Sequence, residues 1–134
     1  MRVEPYLYFQ GRCEEALEFY RRAIGAETMI AARFSDIPGS NPAPGGESKV
    51  AHAAIRIGDT TVLASDGQSP GPFGGFSLSL SAADDAEAER LFAALGDGGS
   101  VQLPMMTTPF ASRFGLVADR FGVPWMVVVQ ARPV

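Results

Sequence analysis

The feature that most constrains this chain is a repeated order of secondary-structure signals. Each half of the 134 residues presents a strand-like segment, an amphipathic segment ending in glycine, and three more strand-like segments. The halves share little sequence, but the order of elements occurs twice. We therefore predict an α+β fold of two βαβββ modules with curled, mostly antiparallel sheets that must bury each other's faces.

The two amphipathic segments are predicted to be helices. Residues 13 to 24 carry apolar side chains at helical spacing, and Gly25 ends the pattern. Residues 82 to 95 repeat this arrangement, and Ser81 with Asp84 three residues on resembles a capping box at the helix start.

The strands follow from alternating or β-branched runs on either side of turn residues. Gly58–Asp59 and residues 119 to 122 each separate two such runs, and these hairpins require antiparallel neighbours. Strands are predicted at residues 3–10, 27–34, 49–57, 60–66, 76–81, 100–107 and 112–119, and in the run that Trp125 opens.

Two segments rich in glycine and proline carry no helix or strand signal. Residues 35 to 48 form a loop long enough to be a lid or binding loop, and we expect it to be the most mobile part of the chain. Residues 67 to 75 read as a linker between a module at about 1–66 and another at about 73–134.

Composition narrows the functional class. Apolar residues make up 46% and the net charge is −4, which argues against disorder and gives no support for nucleic-acid binding. Cys13 is the single cysteine, so no intramolecular disulfide can form, and a reducing compartment is the simplest expectation for the location of the protein. No signal peptide and no membrane-length apolar run are readable, so we expect a cytoplasmic protein without a membrane partner.

The quoted segments YLYFQGRCEEALEFYRRAIGAE, VAHAAI, IGDTTVLASD, FSLSLS and ADRFGVPWMV, in that order, resemble the vicinal oxygen chelate superfamily over essentially the whole chain. That group includes glyoxalase I, bleomycin-resistance proteins and extradiol dioxygenases. The similarity is strongest to its phosphonate-operon protein B-like branch, often labelled 3-demethylubiquinone-9 3-methyltransferase. The resemblance implies paired βαβββ modules around a cavity, and commonly a homodimer.

The resemblance also implies a divalent-metal site with two His or Glu ligands from each module. The four implied positions fall near Pro5, Ala64, Gly75 and Met126, where no side chain suits a hard metal. The neighbours Tyr6, Leu63, Phe76 and Val127 are no better as ligands. We therefore predict no metal at this site and no other cofactor. Glycines 98 and 99 follow a helix rather than a strand, which argues against S-adenosylmethionine chemistry.

Five residues are predicted to contact a ligand: His52, Ser65, Asp66, Arg113 and Trp125. His52 could instead be a hydrogen-bonded structural residue or a metal ligand. Asp66 could partner His52 across the sheet or cap a turn, and Arg113 could bind an anion or form a surface salt bridge. Trp125 could face a cavity or the core.

Three functions stay open from the sequence. The chain could be a small-molecule binding module or metal-independent enzyme with a pocket between the curled sheets. It could be a metal-dependent lyase or dioxygenase with displaced ligands. It could also be a dimeric partner-binding protein whose cavity is filled by its own side chains. The first is our preferred hypothesis, with a homodimer as the expected assembly.

Overall fold

The computed structural model describes residues 1–40, 42, 44–67 and 71–130. The chain forms two compact units, Met1–Pro70 and Gly71–Val134. Each unit contains one helix and one four-stranded sheet, in the order strand, helix, three strands.

The first unit is built around a mixed sheet with strand order β1-β4-β3-β2. Strand β1 runs parallel to β4, and the other neighbours are antiparallel. A short 3-10 turn, Phe34–Asp36, follows β2. The elements are β1 (Tyr6–Tyr8), α1 (Cys13–Ile24), β2 (Glu27–Arg33), β3 (Val50–Ile57) and β4 (Thr60–Ser65).

The second unit repeats this plan with strand order β5-β8-β7-β6. Strand β5 runs parallel to β8, and the remaining pairs are antiparallel. The elements are β5 (Leu78–Ser81), α2 (Asp85–Gly96), β6 (Ser100–Thr108), β7 (Ala111–Ala118) and β8 (Pro124–Gln130). The predicted α+β fold of two βαβββ modules is confirmed.

Two predicted elements have boundaries that were wrong by up to three residues. The first strand spans Tyr6–Tyr8 rather than residues 3 to 10, and it ends before the turn at Gln10 and Gly11, which have φ of 53° and 93°. The second helix begins at Asp85 rather than residue 82. Its cap is Asp84, whose side chain accepts the Glu87 N–H, so Ser81 stays in β5.

The segment 35 to 48 is anchored at both ends. The N–H groups of Phe34 and Ser35 donate to the carbonyls of Lys49 and Glu47 at 3.0 and 2.8 Å. The Ser40 hydroxyl donates to the Phe34 carbonyl at 2.9 Å. Positions 41 and 43 lie outside the described residues, and the expected mobility of this loop stays a prediction. Positions 68 to 70 of the predicted linker also lie outside the described residues.

One face of each sheet is covered by the helix of its own unit. In the first unit the covered face presents Leu7, Ala53, Ile55, Val62 and Ala64, each at most 4% exposed. In the second unit the residues on the covered face are Gly115, Val117, Trp125 and Val127. Gly115 identifies this face, because a Cβ at that position would meet Phe92 of α2. No helix in the described residues is long and apolar enough to cross a membrane.

Candidate functional site

The helix-free face of the first sheet carries the chain's one histidine. Side chains alternate along a strand, so with Ala53 and Leu7 facing α1, His52 and the two tyrosines of β1 point to the opposite face. Tyr8 pairs with Ser65 of β4, and the preceding β4 residue, Ala64, pairs with Ala53, the neighbour of His52 on β3. Tyr8 and His52 therefore lie at the same end of the sheet.

Tyr6, Tyr8 and His52 form what we term the aromatic cluster. The Tyr6 hydroxyl lies 3.0 Å from His52 Nδ1 and 3.4 Å from the Ala51 carbonyl oxygen. The two tyrosine rings stack with centroids 5.0 Å apart, and the Tyr6 and His52 rings are 5.7 Å apart. Tyr8 is 39% exposed, so the cluster presents an aromatic surface that solvent reaches.

Ser65 lies next to this cluster but is buried. Its Oγ accepts a hydrogen bond from the Gly67 N–H at 3.0 Å, and the residue is 2% exposed. A Cβ on Gly67 would lie 3.0 Å from that Oγ and 3.1 Å from the Tyr8 ring. The structure therefore places Ser65 beneath Tyr8, where it shapes the turn that follows β4.

Asp66 holds three backbone segments together. Its Oδ1 accepts the N–H groups of Gly11 and Cys13, each at 2.8 Å, and its Oδ2 accepts the Val50 N–H at 3.0 Å. The structure thus shows the capping arrangement for Asp66, while His52 bonds to Tyr6 instead.

Trp125 is part of the core of the second unit. It is 2% exposed and lies on the face covered by α2, and its Nε1–H donates to Asp119 Oδ2 at 2.9 Å. Asp119 Oδ1 accepts the N–H groups of Phe121 and Val123 at 2.9 and 3.1 Å. The carboxylate therefore ties the indole to the turn before β8, and the ligand-contact role of Trp125 stays a prediction.

Arg113 also points to the helix-covered face of the second sheet. Its guanidinium lies 3.1 Å from a Glu89 oxygen and 3.6 Å from an Asp85 oxygen, both on α2. The same group donates to the Ser112 carbonyl at 2.8 Å. These contacts join strand to helix in the manner of a structural ion pair, and an anion-binding role for Arg113 stays a prediction.

The structure thus brings together part of the predicted set. His52 and Ser65 share one end of the first sheet, with Asp66 adjacent in the chain, whereas Arg113 and Trp125 belong to the second unit's helix-covered face. Sequence reasoning missed Tyr6 and Tyr8. Their spacing of two in a strand was a usable signal for a shared face, but the parallel β1–β4 pairing beside His52 was not readable.

A recess of about 600 Å³ lies on the helix-covered side of the first unit, between α1 and β2. Its acidic side chains are engaged by arginines: Glu14 with Arg33 and Glu18 with Arg21. Ionic hydrogen bonds from these guanidinium groups lower the pKa of both carboxyls. The recess is lined by Glu14, Glu15, Leu17, Glu18, Thr28 and Ile30.

The residues at the implied metal positions do not fit a divalent ion. Ala64 is fully buried on the α1 side, and Met126 offers only a thioether, 3.6 Å from the Ser79 hydroxyl. Pro5 and Gly75 have no side-chain donor. The described part of the chain contains no group of three or more His, Cys, Asp or Glu placed to hold a metal.

Comparison with known proteins places this geometry in a family. The model of the 3-demethylubiquinone-9 3-methyltransferase family matches residues 1–128. Protein YjdN of Escherichia coli K12 is 34% identical over 145 residues, covering 99% of each chain. The chain belongs to this family.

Solved structures support the assignment. Protein PA1353 from Pseudomonas aeruginosa superposes with a TM-score of 0.86 at 40% identity, covering 97% of this chain and 98% of that one. A Bacillus cereus PhnB protein, described as a putative 3-demethylubiquinone-9 3-methyltransferase, gives 0.80 at 25% identity, covering 97% and 100%.

The fold extends to a wider group. A glyoxalase/bleomycin resistance protein/dioxygenase superfamily member from Sphaerobacter thermophilus gives a TM-score of 0.60 at 17% identity, covering 97% of this chain and 98% of the other. The family member described here therefore has the glyoxalase-like fold of that superfamily.

Proposed function

We propose that this protein binds a small organic molecule on the helix-free face of its first sheet, at the aromatic cluster. The observation that carries the proposal is the placement of His52 Nε2. Its other ring nitrogen is engaged by Tyr6, while Nε2 has no hydrogen-bond partner among the described residues. His52 is half-buried, and the neighbouring Tyr8 is 39% exposed.

The surroundings of that nitrogen suit a ligand. Binding sites for small molecules combine aromatic surface with a few directed polar groups. The stacked Tyr6 and Tyr8 supply a flat surface, and aromatic rings gain from offset or edge contacts with another ring. A hydrogen-bonding nitrogen beside that surface sets the orientation of the bound molecule.

Two activities suggested by relatives are not carried over. The superfamily's metal chemistry needs donors that the implied positions lack. The methyltransferase description of the family would need a cofactor loop between a strand and a helix. Gly98 and Gly99 instead connect α2 to β6. Function depends on the residues of the site and not on the fold, so the family description alone does not assign methyl transfer.

The single histidine makes the proposal testable by NMR. We expect at least one of phenol, benzoate, benzamide and benzylamine to shift the His52 ring signals in a saturable way. Tyr8→Ala should weaken that binding by up to about tenfold, since an aromatic contact contributes roughly 0.5–1.5 kcal/mol.

Arg56→Ala is the matched control, because Arg56 lies on the same strand and face four residues further on. It should leave the affinity unchanged. If none of the four probes shifts the His52 signals at millimolar concentration, the proposed binding face is wrong.

We also propose that the protein is a homodimer. Strands β2 and β6 are sheet edges, and they expose Met29 at 63% and Val101 at 54%. Exposed edges with apolar side chains are surfaces that a second copy commonly covers. Light scattering at micromolar concentration should give twice the mass of 14.2 kDa. A monomer mass would refute this proposal.

A further inference from the structure

Three apolar side chains cross the first sheet beside the aromatic cluster. The strand register places Leu63 of β4 opposite Ala54 of β3, and Ala54 opposite Met29 of β2. Residues that pair across neighbouring strands project to the same side of a sheet. Ala54 lies two residues from His52 on β3, so all three side chains share the helix-free face with the cluster. We term Leu63, Ala54 and Met29 the apolar row.

The direction of the Tyr6 side chain leaves most of this row open. Tyr6 pairs with Leu63 in the β1–β4 register, but its hydroxyl lies 3.0 Å from His52 Nδ1. The phenol ring therefore runs diagonally toward His52 and away from Ala54. Ala54 contributes only a methyl group and is half-buried, and Met29 at the sheet edge is 63% exposed. The apolar row thus continues the surface of the aromatic cluster toward the β2 edge.

Polar side chains bound the row on its other side. Arg56 of β3 pairs with Thr61 of β4 and with Glu27 of β2, one register position further along the same face. An apolar group that extends from the aromatic cluster therefore meets apolar side chains only along the row, toward Met29.

We propose that the molecule bound at the aromatic cluster carries a second ring, fused or directly linked to the first, and that this second ring lies on Ala54 and Met29. From Leu63 to Met29 the row spans two strand spacings, about 10 Å, of which a single ring covers about half. The Met29 thioether is flexible and makes favourable contacts with aromatic rings. This inference rests on the proposed function above, and it adds the size of the ligand and the two residues that select for it.

Ring number is tested with probe pairs that differ by one ring: phenol with 2-naphthol, and benzoate with 2-naphthoate. The saturable shift of the His52 ring signals gives each affinity. Each two-ring probe should bind about tenfold more tightly than its partner, the gain expected when roughly 55 Å² of apolar surface leaves water. It should also shift the Met29 methyl signal, which the one-ring probe leaves unchanged. Met29→Leu assigns that signal among the five methionines.

Two variants test whether the row supplies this gain. Ala54→Leu fills the row, so the two-ring advantage should disappear while the affinity for one-ring probes stays the same. Met29→Ala should weaken the two-ring probes by roughly two- to tenfold, the value of a lost sulfur–ring contact. Because Met29 is exposed, this variant should fold even if Ala54→Leu does not.

Val101→Ala is the matched control for Met29→Ala. Val101 is also an exposed apolar side chain on an edge strand, so a loss caused by weaker dimerisation would appear in this variant as well. It should leave the affinities for both kinds of probe unchanged.

The outcomes separate the two proposals. Equal affinities within each probe pair, a two-ring advantage that survives Met29→Ala in full, or an equal loss in Val101→Ala would overturn this inference and leave the binding face standing. Absence of any response at His52 to one-ring and two-ring probes alike would overturn both.

Discussion

The two helices occupy equivalent places in their units, but their N-termini are held in different ways. Helix α2 is capped locally: the Asp84 carboxylate accepts the Glu87 N–H at 2.8 Å, and Glu87 accepts the Ala83 N–H at 3.1 Å. In helix α1 the N-cap residue is Arg12, whose side chain accepts no backbone N–H. Asp66, which follows β4, instead accepts the N–H groups of Gly11 and Cys13 at the start of α1.

This difference shows how a repeated fold can be stabilised by unlike contacts. A local cap stabilises one helix and involves residues three apart. The long-range cap joins the start of α1 to the end of β4 and, through Val50, to the start of β3. Removal of Asp66 must therefore disturb three segments, whereas removal of Asp84 disturbs one.

The largest expected effect is that of Asp66→Ala. Three backbone N–H groups would lose a charged acceptor, and each hydrogen bond to a charged group contributes about 1.5–3 kcal/mol when its loss is not compensated. Because Asp66 is half-buried, water will replace part of this. We expect a loss of about 3 kcal/mol in the free energy of unfolding, measured by urea denaturation.

Asp66→Asn provides the matched control. The amide keeps one acceptor oxygen and about the same shape, so the loss should be roughly half as large. A cost for Asp66→Ala below that of Asp84→Ala would contradict the idea that the long-range cap is the stronger one.

The next effect concerns the first residue of α1. Cys13 is fully buried, whereas its counterpart in α2, Asp85, reaches the Ser112 hydroxyl and Arg113. Burial, together with the negative charges of Asp66 and Glu14, raises the pKa of Cys13 from 9.0 to about 12. In the folded protein the thiol is protonated and unreactive.

A raised folded-state pKa stabilises the fold fully below pH 9, and that stabilisation is lost as the pH rises toward 12. Between these limits the unfolded chain releases the proton first, so the Cys13 contribution falls by about 1.4 kcal/mol per pH unit. Comparing urea denaturation at pH 8 and pH 10, wild type should lose about 1.4 kcal/mol more than Cys13→Ala. Equal losses in the two proteins would show that Cys13 does not titrate in this way.

Asp84→Ala tests the local cap and should cost about 1 kcal/mol, the usual value for an N-cap side chain. Ser81→Ala is its control, because Ser81 is exposed in β5 and lies outside α2. It should leave the midpoint of denaturation unchanged. A larger effect of Ser81→Ala than of Asp84→Ala would restore the helix start that the sequence predicted.

These contacts also show what was readable from the sequence. The order of elements, the turn at Gly58 and the span of α1 depend on periodicity and on glycines within a few residues, and all of them were predicted. The start of α2 was missed because Ser81 and Asp84 both resemble caps, and only β5–β8 pairing decides between them.

The site was less predictable, since its contacts join residues far apart in the chain. His52 and Asp66 were recognised as chemically capable, but 46 residues separate Tyr6 from the His52 nitrogen that it contacts. Whether Asp66 faced His52 or the backbone depended on the position of Gly11 and Cys13, which no local pattern reports. The burial of Trp125 likewise followed from Asp119, which fixes the indole on the α2 side.

The smallest expected effect concerns the ion pairs that join each helix to its sheet, Arg33 with Glu14 in the first unit and Arg113 with Glu89 in the second. The Arg113 side chain is 34% exposed and its acidic partners are more so, and such pairs contribute about 0.2–1 kcal/mol. Arg113→Met keeps the apolar stem and removes the charge, so it should lower the free energy of unfolding by less than about 1 kcal/mol, and by less still in high salt. Because Arg113 lies on the helix-covered face, this variant should leave the response of His52 to benzoate unchanged. A weakened response would show that Arg113 contributes to ligand binding, as the sequence predicted.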